Sequence, residues 1–244
     1  MSKLQVLMPM GGLGSRFASA GYTTPKALIE VDGKPMFMRA LDSFAAVDDI
    51  DYIFVIRKEH DEKYDLANKI HSQLPAAKLA ILDHDTRGAV ETCMIAEDLI
   101  DDTLPISVAD CDIYFESVEY FNRALADTRP GGLLLAFNSS DPRYSYAEVT
   151  ANGEVVRTAE KVVISNHALL GGYFFSSGTL FKRVAREFVS KPLPSGLKEY
   201  YMSHLFNMLL EQEERVEIAQ IDKMHIFGTP EELNAYLESQ KDGS

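Results

Sequence analysis

The chain has 244 residues, of which 46% are hydrophobic and 25% charged, and its formal charge at pH 7 is −13. This size allows a sizeable core in one large domain or two small ones. The acidic balance excludes a general nucleic-acid binder, because sequence-independent affinity for phosphate backbones needs clustered Lys and Arg. No run approaches the roughly 20 apolar residues of a membrane span, and the first residues lack a secretory pattern, so we expect a cytoplasmic protein without a membrane partner.

The two cysteines, Cys93 and Cys111, have no CxxC spacing and no His-rich neighbour. Neither a disulfide framework nor a zinc site is therefore indicated. We expect two buried free thiols.

The first half of the chain alternates apolar strands with helical segments. The predicted strands are "LQVLMP", "DYIFVIR" and "AKLAILD", and "LPISVADCDIYF" supplies a fourth strand and its loop. The predicted helices between them are "KPMFMRALDSFAAV", "EHDEKYDLANKIHSQL" and "GAVETCMIAEDLI". Helical crossovers of about 12 residues join parallel strands, so this half predicts an open sheet covered on both faces.

The second half has a different rhythm. The segments "GGLLLAF", "YAEVTANGEVVRTAE" and "LLGGYFF" are predicted strands in quick succession, and Asn152-Gly153 is a strong hairpin signal. This pattern predicts an antiparallel flap on the sheet. The helices "SSGTLFKRVAREFV" and "KEYYMSHLFNMLLEQ", the strand "RVEIAQI" and a final helix opened by "GTPEEL" follow. Without repeats or a long linker, we expect a single α/β domain over residues 1–244, with a Rossmann-like, open, mixed and mostly parallel sheet.

A glycine-rich loop follows the first strand, in the stretch "MPMGGLGSRFASAGYTTPKALIEVDGKPM". Glycines from Gly11 onward let backbone N–H groups approach an oxyanion, and Arg16 can grip a phosphate bidentately. The dinucleotide pattern G-x-G-x-x-G fails because Phe17 stands at its last glycine. The P-loop pattern fails because Pro35 follows Lys34. The loop therefore predicts a phosphate site of another kind.

Two carboxylates, Asp110 and Asp112, close an apolar strand. In open α/β sheets, ligands bind outside the carboxyl ends of the strands. Hard oxygen ligands at that place suit magnesium carried by a nucleotide.

The segments "PMGGLGSRF" and "PKALIEVDGKPM", with ten residues from Arg16 to Lys26, resemble the signature of the nucleotidyltransferase family that includes the sugar-1-phosphate nucleotidylyltransferases. The segments "TRGAVET", "VADCDIYF", "AEKVVISNHALLGGYFF" and "FGTPEEL" follow in the family's order, and the flap resembles that of capsule-associated members. The resemblance implies a GT-A-like fold with a nucleotide-binding half at about 1–137 and an acceptor-binding half at about 138–244.

The resemblance also implies a reaction, in which a phosphorylated acceptor attacks the α-phosphorus of a nucleoside triphosphate and expels pyrophosphate. We expect a pyrimidine triphosphate, magnesium as cofactor and a sugar 1-phosphate as acceptor; a homo-oligomer is compatible with this. The residues carried over are Arg16 and Lys26 for catalysis; Gly11, Gly12, Gly14, Ser15 and Gly88 for the nucleotide; Asp112 and Asp110 for the metal; and Glu160, Lys161 and Gly172 for the acceptor.

Alternatives stay open. The acceptor could be a phosphorylated alcohol. Asp110-Cys111-Asp112 is also the D-x-D pattern of glycosyltransferases that use a nucleotide sugar, although that function does not explain Arg16 and Lys26. A non-catalytic nucleotide binder is a third alternative.

The last motif departs from the family pattern. A second metal-binding Asp of the family is replaced by Ile226, with Asp222 four residues upstream as a substitute, or the metal relies on Asp112, phosphates and water. Thr229 and Pro230 predict a helix cap that needs no ligand.

Overall fold

A computed structural model describes residues 3–193 and 196–242; the predicted domain limits at residues 1 and 244 lie outside this range. The strands are β1 (Leu4–Met10), β2 (Glu30–Val31), β3 (Lys34–Pro35), β4 (Ile50–Arg57), β5 (Lys78–Leu82), β6 (Ile106–Ala109), β7 (Ile113–Glu116), β8 (Gly132–Asn138), β9 (Ser145–Val149), β10 (Val155–Glu160), β11 (His167–Phe175), β12 (Val216–Gln220) and β13 (Lys223–Ile226). The helices are α1 (Ser15–Ser19), α2 (Met36–Leu41), α3 (Lys58–Tyr64), α4 (Leu66–Gln73), α5 (Ala89–Met94), α6 (Val118–Ala124), α7 (Gly178–Ser190), α8 (Ser203–Glu211) and α9 (Pro230–Asp242).

Nine strands form one mixed sheet, in which β10-β9-β11-β6-β1-β4-β5 are neighbours in that order, and β8 pairs with β11 and β12. The strands β6, β1, β4 and β5 pair in parallel. β11 pairs antiparallel with β6, β8 and β9. The predicted α/β class, with its Rossmann-like, GT-A-like sheet, is confirmed, because apolar strands alternating with helices can be connected in parallel only through crossovers.

Helices cover both faces of the sheet, as predicted. Along β4, Ile53 and Val55 pack into a core with α5, α7 and α8. Phe54 and Ile56 point the other way, into a core with α2, α4 and α6. Successive strand side chains point to opposite faces, so a continuous apolar strand is buried from both sides.

The antiparallel flap consists of β9 and β10, which pair at the edge of the sheet beside β11. The Asn152-Gly153 signal lies in the turn between them, and Gly153 has a positive φ of 81°. The hairpin prediction is confirmed, because this turn needs a residue that tolerates the left-handed region.

Some predicted elements differ from the structure in their limits. The long helix predicted over residues 59–74 is two helices, because Asp65 adopts φ 56° between α3 and α4, and the Asp61 carboxylate accepts a hydrogen bond from the Ala67 N–H at 2.8 Å. The predicted fourth strand ends at Ala109 and its loop follows, as expected, but the separate strand β7, which pairs with β13, was not predicted. The helix predicted from residue 198 begins at Ser203.

A third, smaller core joins the C-terminal helix to the glycine-rich loop. Phe17 of α1, Phe227 before α9, and Tyr236 within α9 are buried together. α9 begins at Pro230 after Thr229, whose hydroxyl accepts a hydrogen bond from the Glu232 N–H at 3.2 Å. This confirms the predicted cap and brings the last motif of the chain next to the first.

In the described part of the chain, no helix combines the length and the apolar character needed to cross a lipid bilayer. Both cysteines carry free thiols: Cys93 is buried, as expected, but Cys111 is only half-buried.

Candidate active site

A cleft of about 910 Å³ opens at the carboxyl ends of β1, β4, β5 and β6. Its walls are the loop after β1, the loop between β5 and α5, and the loop between β6 and β7. Lys26 and Gly228 also line it. The sheet thus brings together segments far apart in sequence at the edge where ligands of open α/β sheets bind.

The loop from Gly11 to Gly14 leads from β1 into α1. Gly14 has a φ of 63°, and a Cβ there would lie 3.3 Å from the Cβ of Lys26. Glycine therefore allows both the left-handed turn and the close packing of Lys26. Gly11, Gly12, Ser15 and Arg16 line the cleft with it. The exposed Arg16 guanidinium makes no hydrogen bond or ion pair with the residues that the structure describes, so it is free to meet a ligand.

Lys26 and Asp112 form an ion pair inside the cleft, between Nζ and Oδ2. Both side chains are mostly buried, with 22% and 17% of their surfaces exposed. Burial by itself lowers the pKa of Lys26, but the neighbouring groups, Asp112 foremost, together outweigh it, so the pKa lies above its ordinary value. Lys26 is therefore a permanent cation at the floor of the cleft.

Asp110 lies beside this pair, next to Gly171 of β11. A Cβ on Gly171 would overlap the Asp110 carboxylate, so only glycine leaves room for it. Burial, and then the charge of Asp112, raises the pKa of Asp110, and Lys26 offsets part of this rise. The two carboxylates repel each other in a site where one ammonium is close to both.

This arrangement fits a divalent cation. The two carboxylates are hard oxygen donors, and the pKa of Asp110 is raised by burial and then by the charge of Asp112, so a bound magnesium ion would stabilise the charged pair. No group of three or more His, Cys, Asp or Glu side chains able to hold a metal occurs within residues 3–193 and 196–242. A magnesium ion at Asp110 and Asp112 would therefore need further oxygen ligands from a nucleotide or water.

Gly88, the residue predicted to contact the nucleotide, lies before α5 on the cleft wall. Its φ is 138°, and a Cβ would lie 2.6 Å from the backbone nitrogen and 2.9 Å from the backbone oxygen of Tyr200. Val90 N–H donates to the Tyr200 carbonyl at 3.2 Å, and Tyr200 N–H donates to the Arg87 carbonyl at 2.8 Å. The glycine is thus required for docking this loop against the segment before α8.

The predicted acceptor residues lie on the flap and on β11. Glu160 accepts hydrogen bonds from the hydroxyls of Ser145 and Ser203, the latter at 2.9 Å. Lys161 has a φ of 55°, and its ammonium donates to the Tyr201 hydroxyl at 3.1 Å. The Lys161 Nζ lies 3.7 Å from the Glu160 Oε1, so the flap carries one anion and one cation side by side.

Gly172, the third predicted acceptor residue, lies on β11. A Cβ there would meet Leu135 Cδ1 at 2.3 Å, on the apolar side of β11. Gly171, one residue earlier, faces Asp110 and the cleft side. The acceptor role of Gly172 stays a prediction.

The Asp222 alternative for a second metal ligand has no support from the fold. In the β7–β13 pair, Ile226 lies opposite Ile113 and Lys223 lies opposite Glu116. Asp222 therefore lies level with residue 117, five residues along the pair from Asp112, which is about 16 Å at roughly 3.3 Å per residue. Its carboxylate accepts from the Val118 N–H at 2.9 Å, at the start of α6.

Sequence reasoning missed several cleft residues. Arg57, at the end of β4, is buried, and its guanidinium bonds to Gly11 and Asp85. His60, Lys198 and Glu199 also line the cleft. The signal for Arg57 was available, because a cation at the carboxyl end of an otherwise apolar strand lies where ligands bind.

Several known proteins are similar to this chain in sequence or in structure. A 2-C-methyl-D-erythritol 4-phosphate cytidylyltransferase of Chromobacterium violaceum is 33% identical over 135 residues, which cover 52% of this chain and 56% of that protein. The match thus spans little more than half of that relative's length.

Solved structures match over nearly the whole chain. A nucleoside-diphosphate-sugar pyrophosphorylase from Vibrio cholerae RC9 has a TM-score of 0.83 at 28% identity and covers 96% of this chain and 99% of its own. An inositol-1-phosphate CTP transferase from T. maritima has a TM-score of 0.77 at 15% identity, covering 98% and 94%, which shows the shared fold.

The family profile described as "Nucleotidyl transferase" matches residues 5–223. That range contains the glycine-rich loop, Lys26, the paired carboxylates and the flap. The chain belongs to the nucleotidyl transferase family.

Proposed function

We propose that this protein transfers a nucleoside monophosphate from a nucleoside triphosphate to a phosphorylated small molecule and releases pyrophosphate. The observation that carries the proposal is the meeting of the glycine-rich loop, Lys26 and the Asp110–Asp112 pair in one cleft. Such a site offers backbone donors and cations for the phosphates, and carboxylates for a metal.

Crowding of negative charge is the main barrier to this reaction. Backbone N–H groups of the glycine-rich loop would bind the triphosphate and hold its α-phosphorus in line with the acceptor. Arg16, which is unpaired among the described residues, and Lys26 would neutralise the charge that builds on the departing pyrophosphate.

Asp112 and Asp110 would hold magnesium. The chemistry that this ion supplies when bound is neutralisation of phosphate charge and fixing of the phosphate geometry. Lys26 pairs with Asp112, and a bound phosphate would compete with this carboxylate for the ammonium.

The acceptor would bind over the flap side of the cleft. Glu160 would accept from acceptor hydroxyls, and Lys161 would bind the acceptor phosphate. A sugar 1-phosphate is the primary candidate, and the 28% identical nucleoside-diphosphate-sugar pyrophosphorylase supports it.

A phosphorylated alcohol with CTP is the second candidate. The 33% identical relative favours this candidate, because its name describes the transfer of a cytidylyl group to a phosphorylated polyol. For both candidate acceptors, we expect the nucleotide donor to be a pyrimidine nucleoside triphosphate. A glycosyltransferase is disfavoured, since a diphosphate donor gives no use for two cations at a leaving pyrophosphate.

Calorimetry across the common nucleoside triphosphates, with magnesium and with a chelator, tests the proposal. We expect binding of a pyrimidine triphosphate that depends on magnesium. A second assay follows pyrophosphate release with a panel of sugar 1-phosphates and phosphorylated polyols. Absence of binding to every triphosphate, or a nucleoside diphosphate as the product, would refute the proposed function.

A further inference from the structure

Arg57 is a buried cation at the floor of the cleft. It ends β4, and its side chain is 6% exposed. Met10 of β1 lies opposite Ile56, and Leu82 of β5 lies opposite Arg57. The last side chain of β4 therefore lies between the loops that leave β1 and β5.

The Arg57 guanidinium bonds to three segments at once. Its Nη1 donates to the Gly11 carbonyl at 2.9 Å, and its Nη2 donates to Asp85 at 2.7 Å and to Glu59 at 3.0 Å. The two carboxylates are 75% and 69% exposed, so they enter the cleft region from the solvent side. The planar guanidinium of arginine has enough donors in a fixed geometry to bond to all three segments, whereas the ammonium of a lysine does not.

We propose that Arg57 is a positioning residue for the nucleotide phosphates, acting through the Gly11–Gly12 peptide. This inference rests on the proposed function. In a trans peptide the carbonyl and the following N–H point in opposite directions. Holding the Gly11 carbonyl toward Arg57 therefore directs the Gly12 N–H away from it, in a loop that lines the cleft.

Glycine flanks both sides of that peptide, which makes this restraint necessary. Glycine has an unusually wide range of allowed backbone conformations, so a Gly-Gly peptide rotates readily unless something holds it. Space around Gly12 is open, since a Cβ there would meet nothing within 4 Å. Of the bonds described here, the one from Arg57 is the restraint that fixes the peptide before a phosphate arrives.

The same fork connects two walls of the cleft. Asp85 belongs to the loop between β5 and α5, which continues to Gly88. Arg57 thus holds the glycine-rich loop and the loop between β5 and α5 together. Loss of the fork should loosen both loops while leaving the flap that carries Glu160 unaffected.

Two substitutions of Arg57 test the proposal. Arg57→Gln removes the charge and the fork, and Arg57→Lys keeps the charge without the fork. We expect both to weaken triphosphate binding by about 10-fold to 100-fold, the effect of one hydrogen bond to a charged group. Because the Gly12 N–H would be used in the ground state and the transition state alike, the loss should appear in the KM for the triphosphate more than in kcat. The acceptor KM should not change.

Hydrogen exchange of the nucleotide-free protein supplies a readout that does not depend on activity. Amides of residues 11–16 should exchange faster in both variants, while those within β1, β4 and β5 should not. Arg39→Gln is the matched control: Arg39 is an 18% exposed side chain that pairs with Asp42, stacks on Tyr114 and lies outside the cleft lining. It should leave nucleotide affinity and loop exchange unchanged.

The outcomes separate this inference from the proposed function. If Arg57→Lys retained wild-type affinity, the charge alone would matter and the positioning role would be wrong. Faster exchange throughout the sheet, or a parallel rise in the acceptor KM, would show a general loss of structure and would also overturn it. A wild type that binds triphosphate while both variants behave normally refutes this inference alone; a wild type that binds none refutes the proposed function, and this inference with it.

Discussion

The ammonium of Lys26 donates a hydrogen bond to the carboxylate of Asp112, although the two residues belong to different loops of the sheet edge. Each neutralises the charge of the other. A triphosphate with its metal offers both a better partner, since the carboxylate prefers a divalent cation and the ammonium a phosphate. The pair therefore joins two residues that the proposed reaction uses.

Removal of either catalytic cation should slow the reaction strongly. Losing one preorganised partner of developing charge costs about 3 to 4 kcal/mol, or about 10² to 10³ in rate. We expect this loss for Lys26→Ala, and at least as much for Arg16→Ala, because water replaces a bidentate fork poorly. The measurement is pyrophosphate release. Lys34→Ala removes a lysine that pairs with Asp42 on the surface, and it should stay active. Full activity in both cleft variants would contradict the proposed roles.

Asp112→Asn should weaken magnesium binding and lower the rate of pyrophosphate release by orders of magnitude. The substitution removes an anionic ligand while keeping its shape. Asp110→Asn should do less. Calorimetry with metal and triphosphate gives the affinity. The control is Asp222→Asn, because Asp222 lies at the far end of the β7–β13 pair and should not affect metal binding. A loss in Asp222→Asn equal to that in Asp112→Asn would show that this placement is wrong.

Asp110 should make the metal-free protein less stable at higher pH. Burial and the charge of Asp112 raise the pKa of Asp110 to about 7, above its value in the unfolded chain. The folded state therefore binds the Asp110 proton more tightly than the unfolded chain does. This binding adds to the free energy of unfolding in full below about pH 4, and the addition is lost as the pH rises through about 7. Asp110→Asn should raise the Tm at about pH 8 and change it little at about pH 4.

Thermal unfolding with a chelator, at both pH values, checks this. An exposed carboxylate away from the cleft, Asp48, serves as control, and Asp48→Asn should show no such pH-dependent gain. An equal gain in Tm for Asp110→Asn at both pH values would contradict the raised pKa of Asp110.

Two glycines of the cleft should respond differently to alanine. Gly88→Ala places a Cβ 2.6 Å from the Tyr200 nitrogen at φ 138°, so it should destabilise the fold by about 2 kcal/mol or more. Gly12→Ala meets nothing within 4 Å, so its stability should change little while triphosphate affinity falls, because the methyl group limits phosphate approach. Urea unfolding and calorimetry measure the two effects. If Gly12→Ala bound the triphosphate normally, this loop would not contact phosphate.

Glu160→Gln should impair acceptor binding. The carboxylate keeps two hydroxyl partners, Ser145 and Ser203, and the neutral amide would accept more weakly from acceptor hydroxyls. We expect a rise in the acceptor KM of about 10-fold, with the triphosphate KM unchanged. Glu148→Gln is the control on the same flap, since Glu148 pairs with Arg157 and is 44% exposed. A changed triphosphate KM instead would place Glu160 on the nucleotide side.

The order of elements could be predicted from the sequence, because each depends on local patterns. Apolar runs such as residues 50–57 mark buried strands, and Asn152-Gly153 marks a hairpin through its backbone preference. The glycine-rich loop, Lys26 and the two carboxylates could be identified as site candidates for a similar reason, since their spacing along the chain matches the family.

Only the tertiary structure decided which distant residues meet. The pairing of β7 with β13 joins segments about a hundred residues apart, and it placed Asp222 away from Asp112. Asp65 ends a helix that periodicity would continue, because the Asp61 carboxylate caps the next one. The bonds of Arg57 and the contact of Gly171 with Asp110 depend on strand register across the sheet. Local preferences determine elements, but contacts between elements depend on packing and register, which no single segment contains.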